Sequence, residues 1–169
     1  MSDIILLLVN NEKQIKIVES LAGEIWQEHY IPIIGKNQVK YMLENFQSKE
    51  AIYSHIKEGF LYYLIRYKDT YAGYFSFILR ENNLFLSKIY IKADNRRKGF
   101  GKKVFQFIEN IALDNKLAEI ILTVNKNNLN SIKTYEKIGF VVTESIVQDI
   151  GGGFFMDDYL MKKIIIYYN

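Results

Sequence analysis

Two glycines inside a run of cations form the most distinctive chemical feature of the chain. The segment 96–103 reads RRKGFGKK, with five cations around Gly99 and Gly101. A strand-like segment, 84–91, precedes it, and a helix-like segment begins near Lys98. A helix N-terminus presents backbone N–H groups without intrahelical partners, and glycine lets a ligand approach the backbone closely. The segment therefore predicts a phosphate cradle for an anionic, nucleotide-like ligand.

The spacing of the two glycines separates this loop from two common phosphate loops. A P-loop needs Ser or Thr after Gly-Lys, and here Gly101-Lys102 is followed by Lys103. A dinucleotide loop needs a third glycine, and Val104 stands at its position. The pattern that remains is Arg96-x-x-Gly99-x-Gly101, whose structural alternative is a basic surface loop that starts a helix.

A second segment, 128–140, reads NLNSIKTYEKIGF. The two segments together resemble the two signatures of the GNAT superfamily of acetyl-CoA-dependent N-acetyltransferases, Arg-x-x-Gly-x-Gly and N-x-x-A-I-x-x-Y-E-K-x-G-F. Ser131 stands where the family usually has alanine. The resemblance covers residues 60–163, and the overall pattern also resembles bacterial polyamine acetyltransferases, though less specifically.

The resemblance implies a fold, an activity and a co-substrate. The implied fold is the GNAT fold of the α/β (α+β) class, with a central mixed, mostly antiparallel sheet of about seven strands flanked by about four helices. The implied activity is transfer of an acetyl group from acetyl-CoA to a primary amine of a polyamine-like small molecule or of a peptide.

The same resemblance assigns contacts with coenzyme A. Backbone N–H groups of the loop would hold the pyrophosphate, and the backbone of 89–91 would hold the pantetheine arm, with Ile89 as an oxyanion donor. Arg97 stands where the family often has glycine, and its side chain would reach a phosphate. The implied cofactor-binding residues are Ile89, Tyr90, Ile91, Arg96, Arg97, Lys98, Gly99, Phe100, Gly101, Lys102, Asn125, Asn128, Ser131, Tyr135 and Lys137. For Asn125 and Asn128 the structural alternative is loop and N-cap chemistry, and for Lys137 it is a solvated cation.

Tyr135 matches the family tyrosine that protonates the leaving thiolate of coenzyme A. A phenol can donate a proton in a water-poor cleft. From spacing alone, the alternative is a core tyrosine on the face of Leu129, Ile132 and Ile138.

The amine acceptor is expected to meet acidic and aromatic side chains. Successive strand residues face opposite sides, so one carboxylate of Asp157-Asp158 would line an acceptor cleft. Aromatic rings attract alkylammonium groups. The predicted acceptor-binding residues are Trp26, His29, Tyr30, Tyr41, Asp157 and Asp158. Candidates for the general base are Glu28, His29, Asp157 and Asp158, and the sequence does not choose among them.

Composition limits the remaining possibilities. With 169 residues, the chain is long enough for one domain, expected to span 1–169. It has no cysteine, which excludes an acetyl-cysteine intermediate and a Cys/His zinc site, so no metal is expected. The apolar run Ile4–Val9 is too short for a membrane span and predicts a buried first strand in a cytoplasmic protein. The apolar end, 164–168, is expected to continue a strand or to form an interface, such as that of a homodimer.

The elements that must position these residues follow from periodicity and turn residues. Asn11-x-x-Gln14 predicts the start of a first helix, with His29 after its end, and Pro32 and Gly35 separate it from a second helix around 39–46. Strands are predicted at 60–67, 71–79, 84–91, 119–124, 140–148 and 154–164, and further helices from about Lys98 and over 128–138. The order strand, helix, strand from 84 to 124 predicts a right-handed parallel crossover.

Two other functions compete with acetyl transfer. One is a non-catalytic acyl-CoA-binding regulatory module, which Tyr135 argues against. The other is nucleic-acid binding through the basic loop, but the net charge is only +3 and no aromatic platform for base stacking is interleaved with the cations. We therefore expect acetyl-CoA and an amine as partners, and neither nucleic acid nor a membrane.

Overall fold

A seven-stranded sheet runs through the computed structural model, which describes residues 4–167. The strands are β1 Ile4–Leu8, β2 Leu61–Tyr67, β3 Thr70–Leu79, β4 Asn83–Ile91, β5 Glu119–Asn125, β6 Val141–Gly151 and β7 Phe154–Ile164. The helices are α1 Glu12–Ile34, α2 Lys36–Phe46, α3 Lys49–Lys57, α4 Phe100–Asp114 and α5 Leu129–Lys137, with a short 3-10 turn at Ala93–Asn95.

The strand order in the sheet is β1-β2-β3-β4-β5-β7-β6. The β4–β5 pair is parallel, and the pairs β1–β2, β2–β3, β5–β7 and β6–β7 are antiparallel. The predicted mixed, mostly antiparallel sheet and the parallel β4–α4–β5 connection are therefore confirmed.

Contacts among the described residues divide the chain into two compact units. One contains residues 4–78 and 88–105, and the other contains 79–87 and 106–167. The expectation of one domain over 1–169 stays a prediction.

The first unit places a helical face against a layer of aromatic side chains. Apolar residues of α1 are buried at helical spacing, among them Val18, Ala22 and Ile25. Strands β2 and β3 bury large side chains as well, including Tyr62 and Tyr74. This packing holds α1 and the end of β4 in fixed positions.

The second unit is built on β5, β6 and β7. β5 is buried along most of its length, and β7 lies between β5 and β6. After β7, the N–H of Ile165 donates to the carbonyl of Ala118 at 2.9 Å, and Tyr167 donates to the carbonyl of Leu117 at 2.8 Å. β7 ends at Ile164, and the residues after it are hydrogen-bonded to residues 117–118, directly before β5. Tyr168 lies outside the described residues.

Several local predictions were wrong. The Ile4–Val9 segment is an edge strand rather than a buried one, with Ile5 46% exposed, because β1 pairs only with β2 in the sheet order. Helix α1 continues through Pro32 to Ile34, so His29 lies inside it. Proline is tolerated there because only one hydrogen bond in the last turn is lost. Helix α3 was not predicted, and it brings the α-helices of the described chain to five.

Among the described residues, no helix is both long enough and apolar enough to cross a membrane. The longest helix, α1, carries charged residues along its outer face, such as Lys16 and Glu24. That pattern is typical of a helix with one face in water.

Candidate active site

The glycine-rich loop joins β4 to α4 and turns sharply twice. Arg97 has φ +59° and Gly99 has φ +81°, both in the left-handed region. Lys103 is the first residue of this turn whose backbone N–H has a hydrogen-bond partner. It donates to the carbonyl of Gly99 at 3.2 Å. The N–H groups before it start a helix and need an acceptor from outside the helix. The loop therefore has the backbone geometry for binding an anion.

Arg96 supports this loop from within the protein. Its Nε donates to the carbonyl of Ile91 at 2.9 Å, and its two terminal nitrogens donate to Glu28 of α1 at 2.9 and 3.3 Å. Its backbone N–H donates to the carbonyl of Ala93 at 3.1 Å. The side chain of Arg96 thus shapes the loop, and the backbone N–H groups after it are those available to an anion.

Gly101 stands where the protein itself does not require a glycine. Its φ is not in the left-handed region, and a Cβ added there would meet only the Cδ1 of Ile91, at an ordinary 3.8 Å. By contrast, a Cβ at Gly73 would lie 2.1 Å from the carbonyl oxygen of Tyr90. Packing explains Gly73 but not Gly101, whose open position suits a phosphate in close contact with the backbone.

The other side chains of the loop differ in exposure. Phe100 is buried and its ring lies 5.1 Å from that of Tyr67, so only its backbone is available to a ligand. The ammonium group of Lys98 lies 5.8 Å from the Tyr67 ring centroid. Arg97 and Lys102 are exposed. These cations surround the loop without filling it.

The end of β4 carries the predicted pantetheine residues. Ile89, Tyr90 and Ile91 are half-buried. The parallel ladder with β5 covers Asn83–Leu86, the first four of the nine residues of β4.

The predicted acceptor aromatics belong to the helices of the first unit. Trp26 is 3% exposed and stacks on Tyr30 at 4.4 Å, with Tyr90 against its edge at 5.5 Å. His29 contacts Tyr30 edge-on. Tyr41 lies on α2, where its ring contacts Phe46. Trp26 is therefore a core residue, while Tyr30 and His29 are half-buried.

Tyr135 lies in the last turns of α5. Its side chain is half-buried, and its ring lies 6.0 Å from that of Phe140. Burial raises the pKa of Tyr135 to about 12, against a smaller lowering by a hydrogen bond with Ser131, one helical turn earlier. The phenol therefore keeps its proton at neutral pH, as a proton donor must.

The two asparagines before α5 have different surroundings. The side-chain oxygen of Asn125 accepts the N–H of Asn127 at 2.9 Å, and the carbonyl of Asn125 accepts the N–H of Asn128. This local turn agrees with the structural alternative for Asn125. Asn128 is buried but makes no side-chain capping bond to the helix. Lys137 is exposed in the last turn of α5.

The acidic pair in β7 is divided between the two faces of the strand, as predicted. Asp157 is exposed and forms an ion pair with Lys126. Asp158 is 6% exposed and lies opposite Asn125 of β5. Burial raises the pKa of Asp158 to about 6, repulsion from Asp157 adds to the shift, and Lys126 opposes it.

The predicted residues fall into the two units. The loop, the end of β4 and the residues of α1 and α2 lie in the first. The second unit contains Asn125, Asn128, Ser131, Tyr135, Lys137, Asp157 and Asp158. Between residues 4 and 167, no group of three or more histidine or acidic side chains is placed to hold a metal ion.

Sequence reasoning missed two features. One is the ion pair between Glu28 and Arg96, because the sequence suggested Glu28 only as a possible base. The other is Lys88, which is buried on β4 with its ammonium group 5.5 Å from the ring centroid of Tyr62. The signal for Lys88 was a lysine in an apolar alternating strand, after Leu84 and Leu86.

Solved structures similar to this chain share its fold. The PaiA N-acetyltransferase from Thermoplasma acidophilum, in complex with coenzyme A, matches with a TM-score of 0.80 and 22% identity, over 96% of this chain and 99% of that one. A GCN5-related N-acetyltransferase from Rhodopseudomonas palustris matches with a TM-score of 0.81 and 12% identity, over 97% of each chain. The ribosomal-protein-S18-alanine N-acetyltransferase from Escherichia coli matches with a TM-score of 0.74 and 15% identity, over 99% and 97%.

No curated protein sequence matches the chain. A family model, however, identifies more than the fold. The model of the acetyltransferase (GNAT) domain matches residues 30–155, which include the loop, the end of β4 and all of α5. The resemblance seen in the two sequence signatures is thereby confirmed, and the chain belongs to the GNAT family of acetyl-CoA-dependent N-acetyltransferases.

Proposed function

We propose that this N-acetyltransferase transfers the acetyl group of acetyl-CoA directly to a primary amine of a small, polyamine-like molecule. The observation that carries the proposal is Tyr135, a half-buried phenol on α5 with its ring 6.0 Å from that of Phe140, which stays protonated at neutral pH. Such a group protonates a leaving thiolate without ionising itself in the resting enzyme.

The glycine loop is the proposed site for the pyrophosphate of coenzyme A. The backbone N–H groups of residues 97–102 supply the donors, and Gly101 leaves room for close approach. The exposed side chains of Arg97 and Lys102 add positive charge around them. The similar Thermoplasma acidophilum structure is a complex with coenzyme A, which supports coenzyme A as the ligand.

The pantetheine arm and the thioester are assigned to the end of β4. The backbone groups of Ile89, Tyr90 and Ile91 bind the arm, and the N–H of Ile89 stabilises the oxyanion. Bound acetyl-CoA supplies a thioester carbonyl that an amine can attack. A preplaced N–H donor contributes about 3 kcal/mol to such a step. Asn128, Ser131 and Lys137, in the second unit, are further proposed contacts of coenzyme A, and Asn125 holds the turn before α5.

Transfer is proposed to be direct. The sequence contains no cysteine, so no acetyl-cysteine intermediate can form, and in the proposed mechanism the amine itself attacks the thioester. In the proposed mechanism Tyr135 gives its proton to the sulfur of the departing coenzyme A.

The acidic pair of β7 supports a cationic acceptor. Asp157 and Asp158 are adjacent, and the single cation paired with them among the described residues is Lys126, on Asp157. A carboxylate that is buried without a cation attracts an ammonium group. The aromatic residues Tyr30 and Tyr41 belong to the proposed acceptor site as walls for alkylammonium groups.

The first experiment measures release of the coenzyme A thiol from acetyl-CoA with a panel of amines. The panel contains spermidine, spermine, putrescine, amino acids, aminoglycosides and short peptides. Turnover with polyamines supports the proposal, and turnover with peptides alone contradicts the small-molecule acceptor. Absence of turnover with every amine, with tight acetyl-CoA binding, contradicts the proposed reaction.

The role of Tyr135 is tested by Tyr135→Phe, with Tyr53→Phe as the matched control. Tyr53 is an exposed tyrosine on α3, outside the proposed site. We expect Tyr135→Phe to lower kcat by about 100-fold with unchanged acetyl-CoA affinity, and Tyr53→Phe to leave both unchanged. Loss of acetyl-CoA binding in Tyr135→Phe would make this tyrosine structural.

Two properties of the whole protein complete the proposal, namely a cytoplasmic location and a homodimer. The absence of cysteine fits a reducing compartment. The edge strand β6 is exposed along most of its length, with Val147 64% exposed, which supports pairing with a second copy. Sedimentation of the wild type and of Val147→Lys tests the dimer, and a monomeric wild type would contradict it.

A further inference from the structure

The two carboxylates of β7 have opposite environments although they are neighbours in the chain. Asp157 faces Lys126, whose backbone N–H also donates to the carbonyl of Asp157 at 3.0 Å and whose ammonium group lies 5.6 Å from the Tyr159 ring centroid. The negative charge of Asp157 is therefore matched by a fixed cation.

Asp158 is held on the other face, in the interior of the sheet. Its strand has a partner on each side, so Asp158 lies opposite Asn125 of β5 and opposite Ile146 of β6. It is 6% exposed, and within residues 4–167 it forms no ion pair. A carboxylate in this setting lacks both bulk water and a fixed cation.

Few charged groups share the face of Asp158. On β6 the neighbours of Ile146 on that face are Glu144 and Gln148, and on β7 Lys162 lies four residues along the same face. Lys162 is paired with Glu119 at 3.2 Å. Glu144 is exposed and of the same sign as Asp158. The nearby charges therefore do not neutralise Asp158 and leave burial as the main influence on its ionisation.

The alternative bases are bound to other groups. Glu28 accepts two hydrogen bonds from Arg96, and Asp157 is paired with Lys126. His29 packs edge-on against Tyr30 inside α1. Of the four candidates from the sequence, Asp158 alone combines burial with a carboxylate that is not in an ion pair among the described residues.

Asp158 is also connected to the helix that carries the proton donor. Asn125, its partner across the strands, is the last residue of β5, and the carbonyl of Asn125 accepts the N–H of Asn128 at 2.9 Å. Asn128 is the N-cap of α5, on which Tyr135 lies. The strand pairing and this turn fix Asp158 relative to the start of that helix.

We propose that Asp158 is the general base of the acetyl transfer and the carboxylate that receives the ammonium group of the acceptor, an inference that rests on the proposed function above. Asp158 accepts one proton from the ammonium group. The neutral amine nitrogen then forms a bond to the acetyl carbonyl carbon, and the C–S bond breaks. Tyr135 donates its proton to the thiolate, the second amine proton leaves to water, and Asp158 returns its proton to solvent while Tyr135 is reprotonated. The acceptor class is accordingly an alkylammonium compound.

The pKa of Asp158, raised to about 6, agrees with this role. A base works best when its pKa is close to the working pH, because it is then ionised yet still able to hold a proton. Asp157, whose charge contributes to the shift, is a positioning residue for this ionisation.

The test compares Asp158→Asn with Asp157→Asn in the full-length protein, using the amine found active in the panel. The measurements are kcat and kcat/KM from pH 5 to 8, with the acetyl-CoA dissociation constant and thermal unfolding as controls. Below pH 8 an alkylamine stays protonated, so a decrease in activity near pH 6 reflects ionisation of a group of the enzyme. For the wild type, we expect kcat/KM to fall below about pH 6. In Asp158→Asn, we expect kcat to fall by about 100-fold or more and the decrease of kcat/KM near pH 6 to disappear.

The control variant should behave differently. Asp157→Asn should keep the acidic fall in kcat/KM but move it to lower pH, because a negative neighbour has been removed. A folded Asp158→Asn enzyme that keeps wild-type kcat, or a wild-type profile that is flat from pH 5 to 7.5, would overturn the assignment of Asp158 while leaving amine acetylation intact. A wild type inactive on all amines would overturn the proposed function itself, and this inference with it.

Discussion

Arg96 and Glu28 are joined by two hydrogen bonds, of 2.9 and 3.3 Å, although 68 residues separate them in the chain. The first arginine of the loop is therefore bound to α1 rather than presented to a ligand. The third donor of Arg96, Nε, holds the carbonyl of Ile91 at the end of β4. This arginine connects the helix, the strand and the loop.

This relationship predicts that Arg96 acts on the cofactor through loop geometry. Arg96→Lys keeps the charge but loses the planar fork that reaches Glu28 and Ile91. We expect acetyl-CoA to bind about 5-fold more weakly in Arg96→Lys and in Glu28→Gln, and the double variant to lose no more than the worse single variant. Isothermal titration measures the three affinities. Additive losses would mean that Arg96 contacts the phosphate directly.

Substitutions at two glycines, Gly101 and Gly73, distinguish an effect on ligand binding from an effect on packing. Gly101→Ala places a methyl group where only Ile91 Cδ1 is near, and alanine favours a helix over glycine by about 1 kcal/mol. We expect unchanged or higher thermal stability with acetyl-CoA binding weakened by about 10-fold or more, since the methyl group would block the pyrophosphate.

The control for this prediction is Gly73→Ala. Its added carbon would lie 2.1 Å from the carbonyl oxygen of Tyr90, so the backbone would have to move, at a cost of about 3 kcal/mol. Thermal unfolding and acetyl-CoA titration of both variants check the contrast. A Gly101→Ala protein that binds acetyl-CoA normally would remove this glycine from the cofactor site.

The sequence was sufficient for the elements that carry strong periodic or turn signals. Asn11 accepts the N–H of Gln14 at 3.0 Å, and Gln14 in turn accepts the N–H of Asn10, close to the predicted capping box. Gly139 has φ +99° directly after α5, as expected of a C-terminal glycine. These features are local, and their residue types specify them.

Other features depend on contacts that no local pattern contains. Helix α3 has nine residues and buries only Ile52, so its apolar period was too short to detect, although Ser48 caps it. The alternation of Asp157 and Asp158 was predictable, but the side that is buried depends on β5 and β6 flanking β7. The Arg96–Glu28 pair depends on the path of the chain between α1 and the loop.

The raised pKa of Asp158 predicts how stability depends on pH. The folded protein binds this proton up to about pH 6, whereas the unfolded chain releases it near the ordinary value of 3.8. Between these values the native state holds more protons, so this residue makes stability fall as pH rises from about 4 to 6. At pH 7 we expect Asp158→Asn to be more stable than the wild type by about 1–2 kcal/mol.

Urea unfolding of both proteins at pH 4 and at pH 7 tests this prediction. The gain from Asp158→Asn should be largest at pH 7 and small near pH 4, where both states are protonated. Asp157→Asn serves as the reference, because it removes an exposed ion pair whose contribution is small. An equal effect of Asp158→Asn at both pH values would mean that its carboxyl has an ordinary pKa.

Lys88, like Asp158, is a charged side chain buried on a strand. It is 8% exposed, one residue before Ile89, and its ammonium group lies 5.5 Å from the ring centroid of Tyr62. Burial lowers the pKa of Lys88 to about 8. The hydroxyl of Tyr62 lies 2.9 Å from Nδ1 of His55, whose pKa is lowered first by burial and then by the charge of Lys88.

This arrangement predicts that replacing Lys88 by methionine stabilises the protein at neutral pH and has little effect at alkaline pH. Between about pH 8 and 10.5 the unfolded chain holds a proton that the folded protein has released, so Lys88 makes stability rise with pH across that window. Lys88→Met should therefore increase the free energy of unfolding by about 2 kcal/mol at pH 7 and by little at pH 10. It should also raise the pKa of His55, because a nearby positive charge is gone. Urea unfolding at the two pH values and NMR titration of His55 measure these effects. A less stable Lys88→Met protein at pH 7 would show that the cation stabilises this part of the sheet, and an unmoved His55 titration would show that the charge of Lys88 does not act on the histidine.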